Sequence, residues 1–316
     1  MEFKDSLVLV IGSIGYDVYI IGENNKIVFS PGGFAWHCAS GVLAADGTAV
    51  ILANITKSFN KELLTRFDTS RVSFKLNPAC DQYENAYIFD FAKTNYTTGV
   101  SYSEGAPSQK FSQLLDDNNG RKLIVHVGTT NPAIILERIR DIKSVCIQEP
   151  VFSSNTYFPY LTEDNYNYTF EIINLSSIVF VNYEELQVLK KLNLIESLIP
   201  KLVVVTCGKD GVALFENNMM ISASSVMQHT EVSSIGAGDV LIGAFLSLLT
   251  QGFSNSICLE IASILASRSV TNYGTSHLVK TSFDLGQTDK MVTSSPFIQT
   301  DLVGFRLEKK VNKMRS

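Results

Sequence analysis

Residues 178–206 read IVFVNYEELQVLKKLNLIESLIPKLVVVT. The two ends of this stretch, 178–181 and 202–206, are continuous apolar runs rich in valine, which is typical of strands buried on both faces. Between them, residues 182–192 have the composition of a helix, and Asn182 and Glu185 stand at the spacing of a capping box at its start. A strand, a helix and a second strand in this order predict a crossover unit with two parallel strands.

The same alternation extends outward along the chain in both directions. Further buried strands are predicted over 7–11, 49–52, 123–127 and 145–148, and further helices over 34–45, 132–140, 162–175 and 240–249. The pattern predicts an α/β fold of three layers, in which a mostly parallel central sheet is covered by helices on both faces. No repeat and no linker divides the chain, so we expect one domain over 1–316.

Two segments interrupt this rhythm. Residues 17–30 and 86–102 are rich in Tyr, Phe, Ile, Val and Thr and show no helical period. They are predicted to form a small accessory β-sheet, which would be suited to a lid over a site. The alternative is that they extend the main sheet.

Composition limits the classes of partner. The 316 residues are 45% hydrophobic and 18% charged with a formal net charge of −5, which is typical of a globular protein and argues against nucleic acid as the main partner. The five cysteines include no C-x-x-C pair. The longest apolar run, 240–249, is about half as long as a membrane span requires. The N-terminal segment lacks the pattern of a signal peptide, so we expect a cytoplasmic protein without a membrane partner.

The strongest chemical signal is the stretch Ile235-Gly236-Ala237-Gly238-Asp239 immediately before the apolar helix 240–249. Small residues at a helix start leave backbone N–H groups free to bind an anion, and the helix dipole adds positive potential. A carboxylate beside that anion hole could accept a proton from an attacking hydroxyl group. The alternative is that Asp239 is simply a favourable residue in a first helical turn.

Two other strand ends carry polar or glycine-rich turns. Thr206 ends a buried strand and is followed by Gly208 and Gly211, so the turn could let the backbone approach a nucleotide closely, or it could be an ordinary hairpin. Asn182 and Glu185 follow the preceding strand at the carboxyl edge of the sheet, where α/β proteins bind ligands. They could hold a hydrated Mg²⁺, cap the helix, or do both.

These stretches together resemble the PfkB/ribokinase family of carbohydrate and nucleoside kinases over nearly the whole chain. The resemblance implies a ribokinase-like fold and a small-molecule kinase that transfers the γ-phosphoryl group of ATP, with Mg²⁺, to an alcohol substrate. It also implies a role for each matching stretch: Asp17, Gly32, Gly33 and His37 for substrate; Asn182, Glu185, Thr206, Gly208 and Gly211 for nucleotide, with Mg²⁺ near Glu185 through water; Gly236, Ala237 and Gly238 for the anion hole; and Asp239 for the general base.

The chain departs from the family pattern mainly on the substrate side. His37 stands where the family usually has an Asn that contacts substrate; it could donate to a substrate hydroxyl, or it could be a partly buried histidine satisfied by a nearby carbonyl. Ser233 replaces an acidic residue before the anion hole. Only fourteen residues separate Asp17 from Gly32, so the first lid segment is short. Sugars, nucleosides and cyclitols such as myo-inositol all stay open as substrates. A homodimer formed through the lid is a further expectation, and a non-catalytic relative that binds a ligand or protein is the alternative function.

Overall fold

The structure is a computed structural model of the chain. It describes residues 3–22, 24–55, 59–78, 86–90, 121–128, 130–146, 148–225, 229–280 and 301–306.

A central sheet of nine described strands runs through the protein in the order β11-β10-β9-β8-β7-β6-β1-β3-β4. All neighbouring pairs in this sheet are parallel except those made by β10, which runs antiparallel to β9 and β11. The strands, with the two that lie outside this order, are β1 Leu7–Ile21, β2 Lys26–Gly32, β3 Ala49–Ile55, β4 Val72–Pro78, β5 Ala86–Asp90, β6 Leu123–Val127, β7 Val151–Asn155, β8 Ile178–Asn182, β9 Leu202–Thr206, β10 Val212–Glu216 and β11 Met219–Ser224.

Helices cover both faces of this sheet. They are α1 Phe34–Ala44, α2 Pro132–Val145, α3 Tyr166–Leu175, α4 Tyr183–Lys191, α5 Ala237–Thr250 and α6 Asn255–Ser269. Alternate residues of β1 point to opposite layers: Val8 and Val10 join the core under α1, α5 and α6, whereas Leu7 and Leu9 join the core under α2 and α3. The predicted three-layer α/β fold with a mostly parallel sheet is confirmed.

Strand β1 continues beyond the central sheet and carries a second, smaller one. Its second half pairs antiparallel with β2 from Gly15↔Gly32 to Ile21↔Lys26, and parallel with β5 from Tyr16↔Ala86 to Ile20↔Asp90. The described parts of the two predicted lid segments therefore lie side by side. Residues 91–102 of the second segment lie outside the described residues.

One predicted strand is wrong. Residues 145–148 were expected to form a buried strand, but α2 extends to Val145 and the strand next to β6 is Val151–Asn155. Cys146 caps the helix through its backbone N–H, and Pro150 separates the two elements. A short apolar run fits the end of a helix as well as a strand, so its length could not decide between them.

The contact that positions the site is the crossing of α1 and α5. A Cβ atom placed on Gly41 of α1 would lie 2.2 Å from the carbonyl oxygen of Val240, and one placed on Gly243 of α5 would lie 2.0 Å from that of Cys38. Both glycines are therefore required for the two backbones to approach this closely. The crossing places the first turn of α1 beside the first turn of α5.

No helix among the described ranges combines the length and the hydropathy that crossing a membrane would demand.

We predict that Gly243→Ala lowers the free energy of unfolding by about 1–3 kcal/mol, because the added methyl group forces α1 and α5 apart. This loss would occur although alanine by itself favours a helix over glycine by roughly 0.5–1 kcal/mol. Urea denaturation measures the change. Ser256→Ala on the exposed surface of α6 is the control and should stay within about 0.5 kcal/mol of wild type. Equal stability of Gly243→Ala and wild type would contradict the close contact.

Candidate active site

Helix α5 begins at a glycine in the left-handed conformation. Gly236 is the N-cap with φ 78°, and no side chain caps this end of the helix. The N–H of Ala237 bonds to the carbonyl of Ser234, while the helical geometry leaves the next amides without an acceptor in a preceding turn. A Cβ built on Gly238 meets no atom within 4 Å, so the space beside this residue is open. The helix start can therefore accept an anion.

Asp17 and His37 form a buried ion pair beside this helix start. The Nε2 atom of His37 lies 3.0 Å from Oδ2 of Asp17, and both side chains are at most 3% exposed. The hydroxyl group of Tyr19 donates to the same Oδ2 at 3.2 Å. On the other side of the ring, Nδ1 of His37 lies 2.9 Å from Oγ1 of Thr275.

Two glycines at the end of β2 make room for this pair. A Cβ built on Gly32 would overlap the carboxyl group of Asp17 at 2.2 Å. Gly33 has φ 89°, and a Cβ there would lie 2.7 Å from the carbonyl oxygen of Ser13. The double glycine is therefore a steric requirement of the site as well as the start of α1.

His37 also contacts the anion-hole helix. A Cβ built on Gly236 would lie 2.6 Å from both Cγ and Nδ1 of His37, so the imidazole ring rests directly on this glycine. Burial lowers the pKa of His37, but the carboxylates of Asp17 and Asp239 together raise it above its ordinary value. Burial raises the pKa of Asp239 to about 7, with His37 lowering it and Asp17 raising it. Asp239 is partly exposed, which suits a base that must reach a ligand.

Asn182 and Glu185 form a capping box at the start of α4. The side chain of Asn182 accepts from the N–H of Glu185 at 2.8 Å, and Oε2 of Glu185 accepts from the N–H of Asn182 at 3.0 Å. Two groups of the segment after β7 also bond to Glu185: the hydroxyl of Thr156 at 2.7 Å and the N–H of Phe158 at 3.0 Å. Burial raises the pKa of this carboxyl group.

Thr206 ends β9 directly beside Asn182 at the carboxyl edge of the sheet. Beyond it, Gly208 and Gly211 have φ 55° and 112°, and the N–H of Cys207 bonds to the carbonyl of Gly211 at 2.8 Å. A Cβ on Gly211 would lie 2.3 Å from a carbonyl oxygen of β11, whereas one on Gly208 meets nothing within 4 Å. The turn is thus a hairpin in which Gly208 faces open space.

Both groups of residues lie at the same edge of the sheet. Phe34, the first residue of α1, packs against Gly12 in β1 and against Gly128 just after β6, so the start of α1 lies at the carboxyl edge of these strands. His37 connects that start to the start of α5, and β8 and β9 run parallel to β1 through their neighbours. Ligands of α/β proteins bind at this edge.

A match to a family model decides the identity of the chain. The model of the pfkB family of carbohydrate kinases matches residues 6–282. This chain belongs to the pfkB family. Members of this family are phosphotransferases that act on alcohol groups, and the match covers the sheet and all the sites described above.

Solved structures of pfkB-type kinases share the fold. Fructokinase from Xylella fastidiosa, with bound ATP, has a TM-score of 0.70 at 16% identity, covering 87% of this chain and 95% of that one. Adenosine kinase from Schistosoma mansoni in complex with 2-fluoroadenosine has a TM-score of 0.69 at 13% identity, with coverages of 87% and 98%. An E. coli protein described as a ribokinase II, in complex with ATP and Mg²⁺, has a TM-score of 0.66 at 14% identity, with coverages of 87% and 96%.

The Mg²⁺ that pfkB kinases use would fit near Glu185 as a hydrated ion that contacts the carboxylate through a water molecule. The carboxylate already accepts three hydrogen bonds from described groups, whereas a carboxylate offers about four lone-pair positions. One position is left, which suits contact with a hydrated ion through one of its waters. Within the described part of the chain, no group of three or more His, Cys, Asp or Glu residues could hold a metal directly.

Several residues of this pfkB site carry no sequence signal. Tyr19, Ser40 and Thr275 belong to no motif, yet Thr275 bonds to both His37 and Ser40 from a position far along the chain. Ser233, which replaces the acidic residue of the family pattern, is buried and accepts from the N–H of Ile235 at 3.3 Å. Only the approach of α6, the loop after it and β1 brings these groups together.

His126 supports the floor of the site from β6. Its ring is fully buried, stacks on Phe34 with centroids 5.3 Å apart, and its Nδ1 lies 2.9 Å from the hydroxyl of Ser153. Burial lowers the pKa of His126 to about 3, against a weaker opposite effect of a hydrogen bond with Asn155. His126 is therefore neutral in the folded protein at physiological pH.

We predict that His126 makes the protein less stable as the pH falls below about 6.5, where an unfolded histidine takes up a proton. The folded state cannot take up this proton until about pH 3, so the free energy of unfolding falls by up to about 1.4 kcal/mol per pH unit. Urea denaturation at several pH values between about 4 and 7.5 measures this slope. His126→Gln should flatten it, and His229→Gln at an exposed position should not. Equal slopes in all three proteins would show that His126 does not carry the effect.

Proposed function

We propose that this chain is an ATP-dependent kinase that phosphorylates a hydroxyl group of a small molecule, with Asp239 as the general base. The observation that carries the proposal is the position of Asp239. It stands in the first turn of α5, at a helix start that is open beside Gly238, and it interacts electrostatically with the buried pair of Asp17 and His37.

The catalytic roles follow from what these groups can do. Asp239 takes the proton from the substrate hydroxyl group while the oxygen of that hydroxyl forms a bond to the terminal phosphorus atom of ATP. The bridging P–O bond breaks and ADP leaves. We assign to the amides of Gly236 and Gly238 the donation to the oxygens on which negative charge develops. The Ala237 amide, which bonds to Ser234 in this structure, would join them by exchanging that bond for one to the phosphoryl group. A carboxyl group with a pKa of about 7 is well suited to accept and return a proton near neutral pH.

The nucleotide side of the site is proposed at the carboxyl ends of β8 and β9. Thr206 and Gly208 offer a hydroxyl group and an unobstructed backbone, and Gly211 closes the turn that holds them. Asn182 and Glu185 would orient a hydrated Mg²⁺, which supplies positive charge beside the phosphates. ATP in the fructokinase structure and ATP with Mg²⁺ in the ribokinase II structure support this choice of ligands.

The substrate side is proposed around Asp17, His37 and the double glycine Gly32-Gly33. Both hydrogen bonds that described residues donate to the Asp17 carboxylate go to Oδ2, so we assign Oδ1 to a substrate hydroxyl. The second half of β1 with β2 and β5 would form a lid above this pair. Sugars and nucleosides are supported by the fructokinase and adenosine kinase relatives, and cyclitols such as myo-inositol belong to the same class of polyhydroxylated compounds. A cytoplasmic location stays a prediction from the sequence.

An ADP-release assay against a panel of sugars, nucleosides and cyclitols tests the function. ADP release above the ATP-only background with at least one compound is expected. Release at background level with every compound, from protein that binds ATP, would contradict the proposed activity.

We predict that Asp239→Asn lowers the turnover number by roughly a hundred- to ten-thousand-fold, because it removes a general base without changing the shape of the side chain. The dissociation constant of ATP should change little, since Asp239 faces the acceptor side. Stability should change by less than about 1 kcal/mol, because the lost charge is one favourable first-turn interaction that burial already weakens. Steady-state kinetics, ATP binding by calorimetry and urea denaturation measure the three quantities. A variant that keeps more than about a third of wild-type turnover would exclude a general base at this position.

Strand β2 carries an exposed apolar surface through which a homodimer could form. Ile27 and Phe29 are 55% and 67% exposed on β2, and alternate residues of a strand share one face. Among the described strands, β2 pairs only with β1, so no described strand covers its outer edge. We propose that a second copy of this chain packs its own lid strand against this surface.

We predict that Phe29→Glu converts a dimer into a monomer, because it introduces a charge into the centre of an apolar contact. Sedimentation velocity at micromolar concentration measures the mass. Ile257→Glu, at an exposed apolar position on α6, is the control and should stay dimeric. A wild-type protein that sediments as a monomer would contradict the dimer.

A further inference from the structure

A chain of hydrogen bonds fixes the protonation state of the His37 ring. Ser40 Oγ lies 3.0 Å from the carbonyl oxygen of Trp36, which can only accept, so the Ser40 hydroxyl donates there. Thr275 Oγ1 lies 3.1 Å from Ser40 Oγ and therefore donates its one hydrogen to Ser40. At its 2.9 Å contact with Nδ1 of His37, Thr275 is left only as an acceptor. Nδ1 of His37 must then carry a hydrogen.

The other ring nitrogen faces a carboxylate. Nε2 of His37 lies 3.0 Å from Oδ2 of Asp17, which is an acceptor when it is ionised. Tyr19 donates to the same oxygen, so Oδ2 acts as an acceptor there as well. A short contact between two acceptors would be repulsive, so this contact contains a hydrogen, which we place on Nε2 of His37. With a hydrogen on each nitrogen, the ring is an imidazolium.

We propose that His37 is held as an imidazolium by Thr275 and Ser40, and that its charge, placed on Gly236, favours the ionised form of the Asp239 carboxyl group. His37 is then a positioning residue for the general base. Thr275 and Ser40 are its anchors. The consequence for catalysis rests on the proposed function, whereas the charge state of His37 does not.

The surroundings of the ring agree with this charge. Among the described residues, the titratable groups that interact with His37 or Asp239, apart from these two themselves, are Asp17 from β1 and Cys38 from α1. Tyr19 from β1 interacts with Asp17. Burial raises the pKa of the Cys38 thiol well above its ordinary value, and burial together with Asp17 raises that of Tyr19, so both stay neutral. The charges left are two carboxylates with the imidazolium between them. Without the imidazolium, Asp239 would face burial and a second carboxylate with no compensating cation.

This arrangement explains what His37 would supply that the usual Asn could not, namely a positive charge near Asp239. An asparagine at this position could donate to Asp17 but would bring no charge to Asp239. The positive end of α5 also lies here and disfavours a cation, so both carboxylates are needed to keep His37 protonated. The pairing therefore links the substrate-side carboxylate to the general base.

Nuclear magnetic resonance tests the charge without any need for activity. The chain has four histidines, so His37→Asn identifies the His37 signals in an ¹⁵N-labelled protein by their loss. We expect both ring nitrogens of His37 to be protonated at neutral pH, and the titration midpoint to lie above that of an ordinary histidine. Thr275→Val removes the acceptor for the Nδ1 hydrogen and should move this midpoint to lower pH. Ser276→Ala is the matched control, because the Ser276 hydroxyl has no hydrogen-bond partner among the described residues.

The carboxyl carbon of Asp239, identified with Asp239→Asn and followed in the same titration, reports the effect on the base. Its midpoint should lie near 7 in wild type and at higher pH in His37→Asn. The acid limb of kcat/KM should move in the same direction, so that each pH unit of displacement lowers kcat/KM about tenfold on the acid side. A purely structural role would lower the rate at all pH values and leave the limb in place.

A neutral His37 ring at neutral pH would overturn the proposal, and so would an Asp239 midpoint that is equal in wild type and His37→Asn. If no substrate releases ADP, the proposed function fails, while the two titrations still decide the charge of His37 and its effect on Asp239. If His37→Asn does not fold, Thr275→Val gives the same two readouts with the histidine in place.

Discussion

Helices α1 and α5 meet backbone to backbone because Gly41 and Gly243 have no side chains at the crossing, and the geometry of the site depends on this contact. The crossing brings the first turn of α1, with His37, against Gly236 at the start of α5. A larger separation would leave the anion-binding amides of α5 without the imidazole ring beside them. It would also leave Asp239 without its nearest cation. Among the described helices, α5 is the most apolar, and this contact holds its polar N-terminal end beside His37.

The buried charges of the site, on His37, Asp17 and Asp239, stabilise one another because they lie close together. An isolated charge in a protein interior is unfavourable by several kcal/mol, and burial acts against the charged forms of both His37 and Asp239. The cluster avoids this cost because the imidazolium proposed for His37 offsets the two carboxylates, and each of its nitrogens has a partner. Removal of His37 would leave both carboxylates without this cation. On this proposal, the Asp17–His37 pair and the carboxyl group of Asp239 are linked.

Glu185 illustrates how one side chain serves both the fold and the site. Its carboxylate closes the capping box of α4 and holds the segment after β7 through Thr156 and Phe158. The residues that would orient the metal are held rigidly, because they cap the start of α4 and Glu185 also binds the segment after β7. In a phosphotransferase this rigidity matters, since catalysis consists mainly of positioning and electrostatic stabilisation.

The order of strands and helices could be predicted from the sequence because local patterns determine it. Valine-rich runs become buried strands, Asn182 and Glu185 cap a helix as their spacing indicates, and the stretch from Gly236 to Asp239 starts the helix that follows. The patterns failed where they were short or weak: Val145 and Cys146 belong to a helix end and its cap, and α6 and β4 were not predicted at all. Helix α6 could have been found from Ser254 as N-cap and the apolar spacing of Cys258, Leu259, Ile261 and Ala262.

What the sequence determined by itself is the fold class and the stretches that resemble the pfkB family, because propensity, hydrophobic period and capping act over a few neighbouring positions. The tertiary structure alone decided which side chains meet. Thr275 reaches His37 across 238 positions of the chain, and Gly236 lies under the ring only because two distant glycines let their helices touch. No local pattern encodes these contacts, because the free energy that selects them comes from packing and charge pairing in the folded core.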